Sequence, residues 1–220
     1  MRVTREAVFF LCLCLVFWGC AAVGTNGASK VLSLTPKKTY EEHVSGLKSG
    51  NTEINYFDFR ISYTRTAFYN PYKMKNVEVD AAFLAKERGE YDKVLETANA
   101  IFEYDYTDMD AHYLASVAYR EKGDEKNFRF HTRVFNGLVD SITASGDGLT
   151  KDTAMIVINA HEEYVWLGVN GFRRGRVAGM AHKGSMLDEL MCIHKDSGEH
   201  KTFYFNVDLP EAYLKRKSGN

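Results

Sequence analysis

Apolar positions recur along the chain in two textures, helical up to about residue 143 and strand-like after it. Thr39 with Glu42 three residues later has the form of a capping box, in which each side chain bonds the other residue's backbone N–H. Gly50 is a stop, so a helix is predicted from Thr39 to Ser49. Asn55 with Asp58 repeats the device, and Ile54, Phe57 and Ile61 recur at helical spacing toward Thr66. Tyr69-Asn70-Pro71-Tyr72 ends that run, because proline disfavours a helical residue before it. Between Asn76 and Ile142 the pattern is clearest. One helix ends at Gly89, and Tyr91, Val94, Leu95, Ala98, Ile101 and Phe102 keep one face of the next apolar. Thr107 and Asp110 open a helix that stops at Gly123, and another follows through Phe128, Val134, Phe135, Leu138 and Ile142.

The texture changes at the turn cluster Ser145-Gly146-Asp147-Gly148. Ala154 to Ile158, Arg176 to Ala181, Leu187 to His194 and Lys201 to Val207 read as strands, the last two joined by a hairpin turn at Asp196-Ser197-Gly198-Glu199. Glu162 to Val169 fits strand or helix equally, and a helical turn starts at Pro210. The expectation is an α+β fold: N-terminal helical hairpins packed on a small, mainly antiparallel C-terminal sheet.

Gly89-Glu90-Tyr91-Asp92 and Gly123-Asp124-Glu125-Lys126 lie 34 residues apart, the tetratricopeptide period. Residues 76–142 resemble that family. Gly89 and Gly123 match its inter-helix turn, Tyr91 and Asp92 the start of its second helix, and Tyr119 its aromatic; Ala82 and Ser116 stand where helices approach closely. Val94 and Phe128 replace its alanine, and Tyr106 its proline. The resemblance implies a ligand-facing surface of Asn76, Val79, Phe83 and Lys86, then Asp110, Tyr113, Val117 and Arg120. Two repeats are fewer than the roughly three a free-standing array needs, so residues 144–220 are expected to pack on residues 37–143.

The N-terminus reads as an export signal. Arg2 and Arg5 precede an apolar run from Ala7 to Trp18, and Gly19-Cys20-Ala21-Ala22 are small. The run is too short for an ordinary spanning helix. Gly19-Cys20 resembles the lipobox of bacterial lipoproteins, which implies lipidation at Cys20, although Phe17 and Trp18 depart from its pattern. Cleavage after Gly24 also fits. Residues 1–20 are thus assigned to the signal and 21–36 to a flexible tether.

Hydrophobic content of 45% and charge of 26% are ordinary for a globular protein, which argues against wholesale disorder. Without residues 1–20 the chain holds 26 basic and 28 acidic side chains, a balance that gives no reason to expect nucleic-acid binding. Once Cys12 and Cys14 leave with the signal, Cys192 is the one ordinary cysteine and no disulfide framework is possible.

No motif for catalysis is complete. His161-Glu162-Glu163-Tyr164-Val165 starts like the zinc-protease H-E-x-x-H but carries Val165 where the second histidine belongs. Cys192, His194 and His200 suit a soft metal but lack a fourth ligand, so no metal or cofactor is expected. Gly171-Phe172-Arg173-Arg174-Gly175-Arg176 reads as a basic loop able to hold a phosphate, a carboxylate or an anionic lipid headgroup.

Over residues 40–215, Asp58-x-Arg60, Tyr69-Asn70-Pro71-Tyr72, Ser145-Gly146-Asp147-Gly148, Glu162-Glu163-Tyr164 and Tyr204-Phe205-Asn206 resemble an uncharacterised family of exported bacterial proteins, domain of unknown function 4919. That resemblance implies an envelope location and a single module, and it carries no activity. The favoured reading is a non-enzymatic envelope protein binding a protein or peptide through Val79, Phe83, Lys86, Tyr113, Val117, Arg120, Arg173, Arg174 and Arg176, with a membrane anchor at Cys20 if lipidated. The rival is an envelope hydrolase using carboxylates near Asp147, Glu162 and Glu163.

Overall fold

The computed structural model describes residues 30–72 and 77–219. Helix α1 (Tyr40–Lys48) starts at Thr39, and both halves of the capping box with Glu42 form. Helix α2 (Tyr56–Tyr63) starts at Asn55, whose side chain accepts the Asp58 N–H at 2.9 Å. It ends three residues short of Thr66, because Thr64 and Thr66 turn their hydroxyls back onto the Ile61 and Tyr63 carbonyls.

Four helices then run as two antiparallel pairs: α3 (Val77–Glu87) with α4 (Tyr91–Phe102), and α5 (Met109–Glu121) with α6 (Glu125–Thr143). Gly89 and Gly123 stand in the turns of these pairs with φ of 72° and 76°, a backbone state that costs glycine little and other residues more. Asp108, rather than Thr107, caps α5 by accepting the Ala111 N–H at 2.8 Å. Ala82 and Ser116 are buried as expected of small residues between helices. Gly137 has the same role for α2: a Cβ there would run into the Tyr56 ring.

Glu162 to Val169 resolves as helix, within α7 (Ala160–Val169), started by Asn159 accepting the Glu162 N–H. Helix α7 packs on α5 and α6. Its other side meets β2. The sheet has the order β1 (Met155–Ile156), β4 (His200–Asn206), β3 (Ser185–His194), β2 (Phe172–His182). Only β1 with β4 is parallel. Strand β2 starts four residues earlier than expected, so Arg173, Arg174 and Arg176 belong to an exposed edge strand and not to a loop. Charge on an edge strand also discourages edge-to-edge pairing with other chains.

Helix α8 (Asp208–Lys217) packs on β3 and on a 3-10 turn at Val31–Ser33. Within the 21–36 stretch assigned above to the tether Val31 is buried, and just after it Asp58 accepts the Lys37 N–H at 2.8 Å. One apolar core runs from Leu47 through Val134 to Phe205, joining helices and sheet. Inside it His112 and His131 meet Nδ1 to Nδ1 at 3.0 Å, and His112 Nε2 lies 3.0 Å from the Tyr106 carbonyl. Burial holds both rings below their usual range, to about 3 and about 4, so the pair is neutral structural filling.

Candidate functional site

Helix α7 carries two layers of polar residues, one turned into the molecule and one turned out. Glu162 and Glu163 stand in its first turn, where the helix N-terminus favours carboxylates, and both are buried.

Glu162 faces Arg60, which is fully buried in α2. The guanidinium donates from Nε to Glu162 Oε1 at 2.8 Å and from Nη2 to Oε2, a bidentate fork. Its remaining donors reach the Ile156 carbonyl at 2.8 Å and Ser141 Oγ at 3.2 Å. Glu162 Oε2 also accepts the Ile158 N–H at 2.9 Å. One ion pair thus ties α2, α6, β1 and α7 together.

Glu163 points at the sheet and meets Asp188 of β3, carboxyl to carboxyl. Its Oε1 is buried without a hydrogen-bond partner. Burial, then the Asp188 charge and hydrogen bond, push the Glu163 carboxyl up to about 9, while Arg174 acts weakly the other way. Burial raises Asp188 as well. At neutral pH Glu163 is therefore a protonated acid that donates to Asp188.

The outward layer is aromatic and cationic. Arg174 of β2 lies 4.6 Å from the centroid of the Tyr164 ring. One helical turn before Tyr164, His161 Nε2 meets Asp110 Oδ2 of α5 at 2.7 Å. One turn along α5, Tyr113 stacks on Phe83 of α3 with centroids 6.3 Å apart. Lys86 Nζ lies over both rings, at 5.4 and 5.6 Å. Each contact matches cation–π geometry. A continuous face from α3 across α5 to α7 and β2 results, with Tyr113 and Tyr164 exposed at its surface.

Of the expected binding residues, Phe83, Lys86 and Tyr113 converge and Arg174 joins through Tyr164. Val79 is core and Val117 half-buried. Arg120 is exposed beside Glu121, its neighbour in sequence, and Arg173 and Arg176 are exposed on β2. Asp147, Glu162 and Glu163 do not share a constellation, since each carboxylate has a different partner. Asp147 is exposed, its carboxyl lowered by the hydrogen bonds from the Thr153 hydroxyl at 2.5 Å and the Leu149 N–H at 2.9 Å. Strand register sets His200 opposite Ile193 and buried Cys192 opposite Lys201, so the Cys192, His194 and His200 trio does not converge on one face. Cys20 and Asn76 lie outside the described residues.

Sequence reasoning did not name Arg60 and Asp188 as the partners of Glu162 and Glu163, nor Tyr164 with His161 as part of the outward face. Most residues that carry the family resemblance prove to be joints. Asp58 accepts the Lys37 and Lys38 N–H groups and pairs with His43, while Tyr69 donates to the Ile158 carbonyl at 2.5 Å. Ser145 Oγ accepts the Ile156 N–H, and Asn206 Oδ1 the Asp208 N–H. Glu163, with an unpartnered oxygen, and Tyr164, exposed, stand apart from these joints.

A family model described as Domain of unknown function (DUF4919) matches residues 35–216. The chain belongs to that family. No curated protein and no solved structure matches it. The DUF4919 match begins just after the Val31–Ser33 turn and ends inside α8, so it covers the helix pairs, the sheet and the face described above.

Proposed function

We propose that this DUF4919 chain is an exported envelope protein that binds an acidic protein or peptide segment on the face formed by α3, α5, α7 and β2. The observation that carries this reading is the row of aromatic rings, each held beneath a cation: Phe83 and Tyr113 under Lys86, Tyr164 under Arg174. Those ammonium and guanidinium groups leave donors available to a ligand carboxylate, while the rings offer rigid apolar contact. Asp110, an acid on this face, is engaged by His161. The two helix pairs and their 34-residue spacing support a tetratricopeptide-like description, with α7 completing the inner face.

Binding of fluorescent acidic peptides to the full chain tests this proposal. Tyr113→Ala and Tyr164→Ala are expected to weaken binding about tenfold each, in line with the loss of interface aromatics. Thermal stability should stay near that of the parent, because both side chains are exposed. Equal binding of acidic and basic peptides, or full binding by both variants, would sink the idea.

The export signal and apolar run support an envelope location. N-terminal sequencing of native protein is expected to start at residue 20 or residue 25; recovery of Met1 contradicts export. Cys20→Ser is expected to release the protein from the membrane fraction if Cys20 is lipidated, and unchanged partition removes the anchor from the proposal.

A further inference from the structure

Two joined cavities lie where the C-terminal ends of α2 and α8 meet. The larger, about 390 Å³, is lined by Arg65, Arg216 and Lys217 with the Thr64 and Thr66 segment. The smaller, about 200 Å³, shares Thr64, Arg65 and Arg216 and adds Leu32, Leu209 and Ala212. Among the described residues no carboxylate lines either cavity.

Cations in the last turn of α8 have an ordinary explanation, since a helix C-terminus attracts positive charge. That explanation does not extend to Arg65. The last carbonyls of α2 are already taken by the hydroxyls of Thr64 and Thr66, at 2.8 and 2.9 Å. Among the described residues Arg65 uses Nη2, donating to the Leu34 carbonyl at 2.9 Å, and Nε and Nη1 make no hydrogen bond to them. Two guanidinium groups and an ammonium line one concavity, and an anion placed among them gains from all three. Planar guanidinium forks suit a phosphate in two-point contact.

The smaller cavity sets the second requirement. Leu32, Leu209 and Ala212 make its wall apolar, and Leu32 is 42% exposed. Phe68, next to the lining residue Ala67, is 60% exposed. An anionic head beside an apolar compartment, with exposed apolar side chains nearby, is the arrangement that engages an amphiphile at a membrane interface.

We propose that these joined cavities form a binding site for a phosphoryl group bearing an apolar substituent. A phospholipid headgroup or a soluble phosphate ester would each supply that chemistry, independently of the peptide face.

Cosedimentation of the full chain with vesicles tests the lipid source, comparing phosphatidylglycerol mixed into phosphatidylcholine with phosphatidylcholine alone. Titration with inorganic phosphate, followed by chemical shifts or calorimetry, tests the soluble source. The variants are Arg65→Gln with Arg216→Gln and, as an equal loss of charge elsewhere, Arg173→Gln with Arg176→Gln on β2. The first pair is expected to lose tenfold or more in affinity, given about a tenfold effect or less per surface cation near an anionic membrane. The second pair should lose far less. Selective binding to the anionic vesicles identifies a lipid headgroup, and phosphate binding without vesicle binding identifies a soluble ligand. Equal losses from the two pairs, or no loss from the first with either probe, overturns the proposal. Arg65 and Arg216 are exposed, so melting should be unchanged; should Arg65→Gln unfold the chain, Arg216→Gln alone carries the comparison.

Discussion

Arg60→Met is expected to lower stability by about 3–5 kcal/mol, the range for removing one partner of a buried ion pair. The side chain is fully buried, and its loss strands the Glu162 carboxylate, itself buried, with only the Ile158 N–H as a donor from the described backbone. The Ile156 carbonyl and Ser141 Oγ each lose a donor as well. Glu162→Gln should cost a comparable amount, because Arg60 then keeps a charge without a counter-ion. The double variant is the informative member. Removing both charges abolishes the stranded-ion penalty, so its loss should be smaller than the sum of the single losses, with a coupling of about 1–3 kcal/mol. Denaturant titration of the four proteins completes the cycle. Strict additivity, or a loss below about 1 kcal/mol for Arg60→Met, shows that the pair does not hold the molecule together. The pair also fixes α7, which carries Tyr164 and His161, so Arg60→Met should weaken peptide binding without touching the face itself.

That ion pair marks where sequence reading stops. Elements whose signal is local were legible: the capping box of Thr39 and Glu42, the Asn55 cap of α2, and the Asp196–Glu199 turn between β3 and β4. Helix α7 was left undecided because it is packed on two sides, by α5 and α6 and by β2. Its buried positions include Glu162, Glu163, Trp166 and Leu167, so no clean apolar stripe forms. The start of β2 was missed because an edge strand buries little: Arg173 to Val177 are all exposed, and no alternation appears. Phe83, Lys86 and Tyr113 were named together as what the tetratricopeptide resemblance implies, a resemblance carried by residues readable along the chain. Arg60 with Glu162 was not, because the partners are 102 residues apart and only the fold brings them together. The same holds for Glu163 and Asp188, which sit on different elements with no shared spacing rule.

Glu163→Gln is expected to stabilise the protein at neutral and alkaline pH. The folded-state carboxyl is raised to about 9 from an ordinary value of 4.5, first by burial and then by Asp188. Below pH 4.5 both states hold the proton and the shift has no effect. As pH rises above 4.5 the unfolded chain releases its proton while the folded chain retains it, so stability falls until the folded group ionises near pH 9. At about 1.4 kcal/mol per pH unit, the accumulated loss at pH 7 is about 3 kcal/mol. The neighbouring groups adjust that figure: Arg174 opposes the shift, Glu162 adds to it, and Glu211 bears on Asp188. A glutamine keeps the shape, offers an amide N–H to Asp188 and has no proton to lose. The variant should therefore match the parent near pH 4 and exceed it by up to about 3 kcal/mol at pH 7, with a flatter profile between them. Urea titrations across that range provide the measurement. A variant less stable than the parent at pH 7 would show that Glu163 is ionised in the folded state and held there by Arg174. Retaining an acid that destabilises the fold at neutral pH is a trait of functional positions rather than of cores. If the stabilised variant also binds peptide less well, the Glu163–Asp188 pair contributes to the face beside it; if binding is unchanged, the pair acts on stability alone.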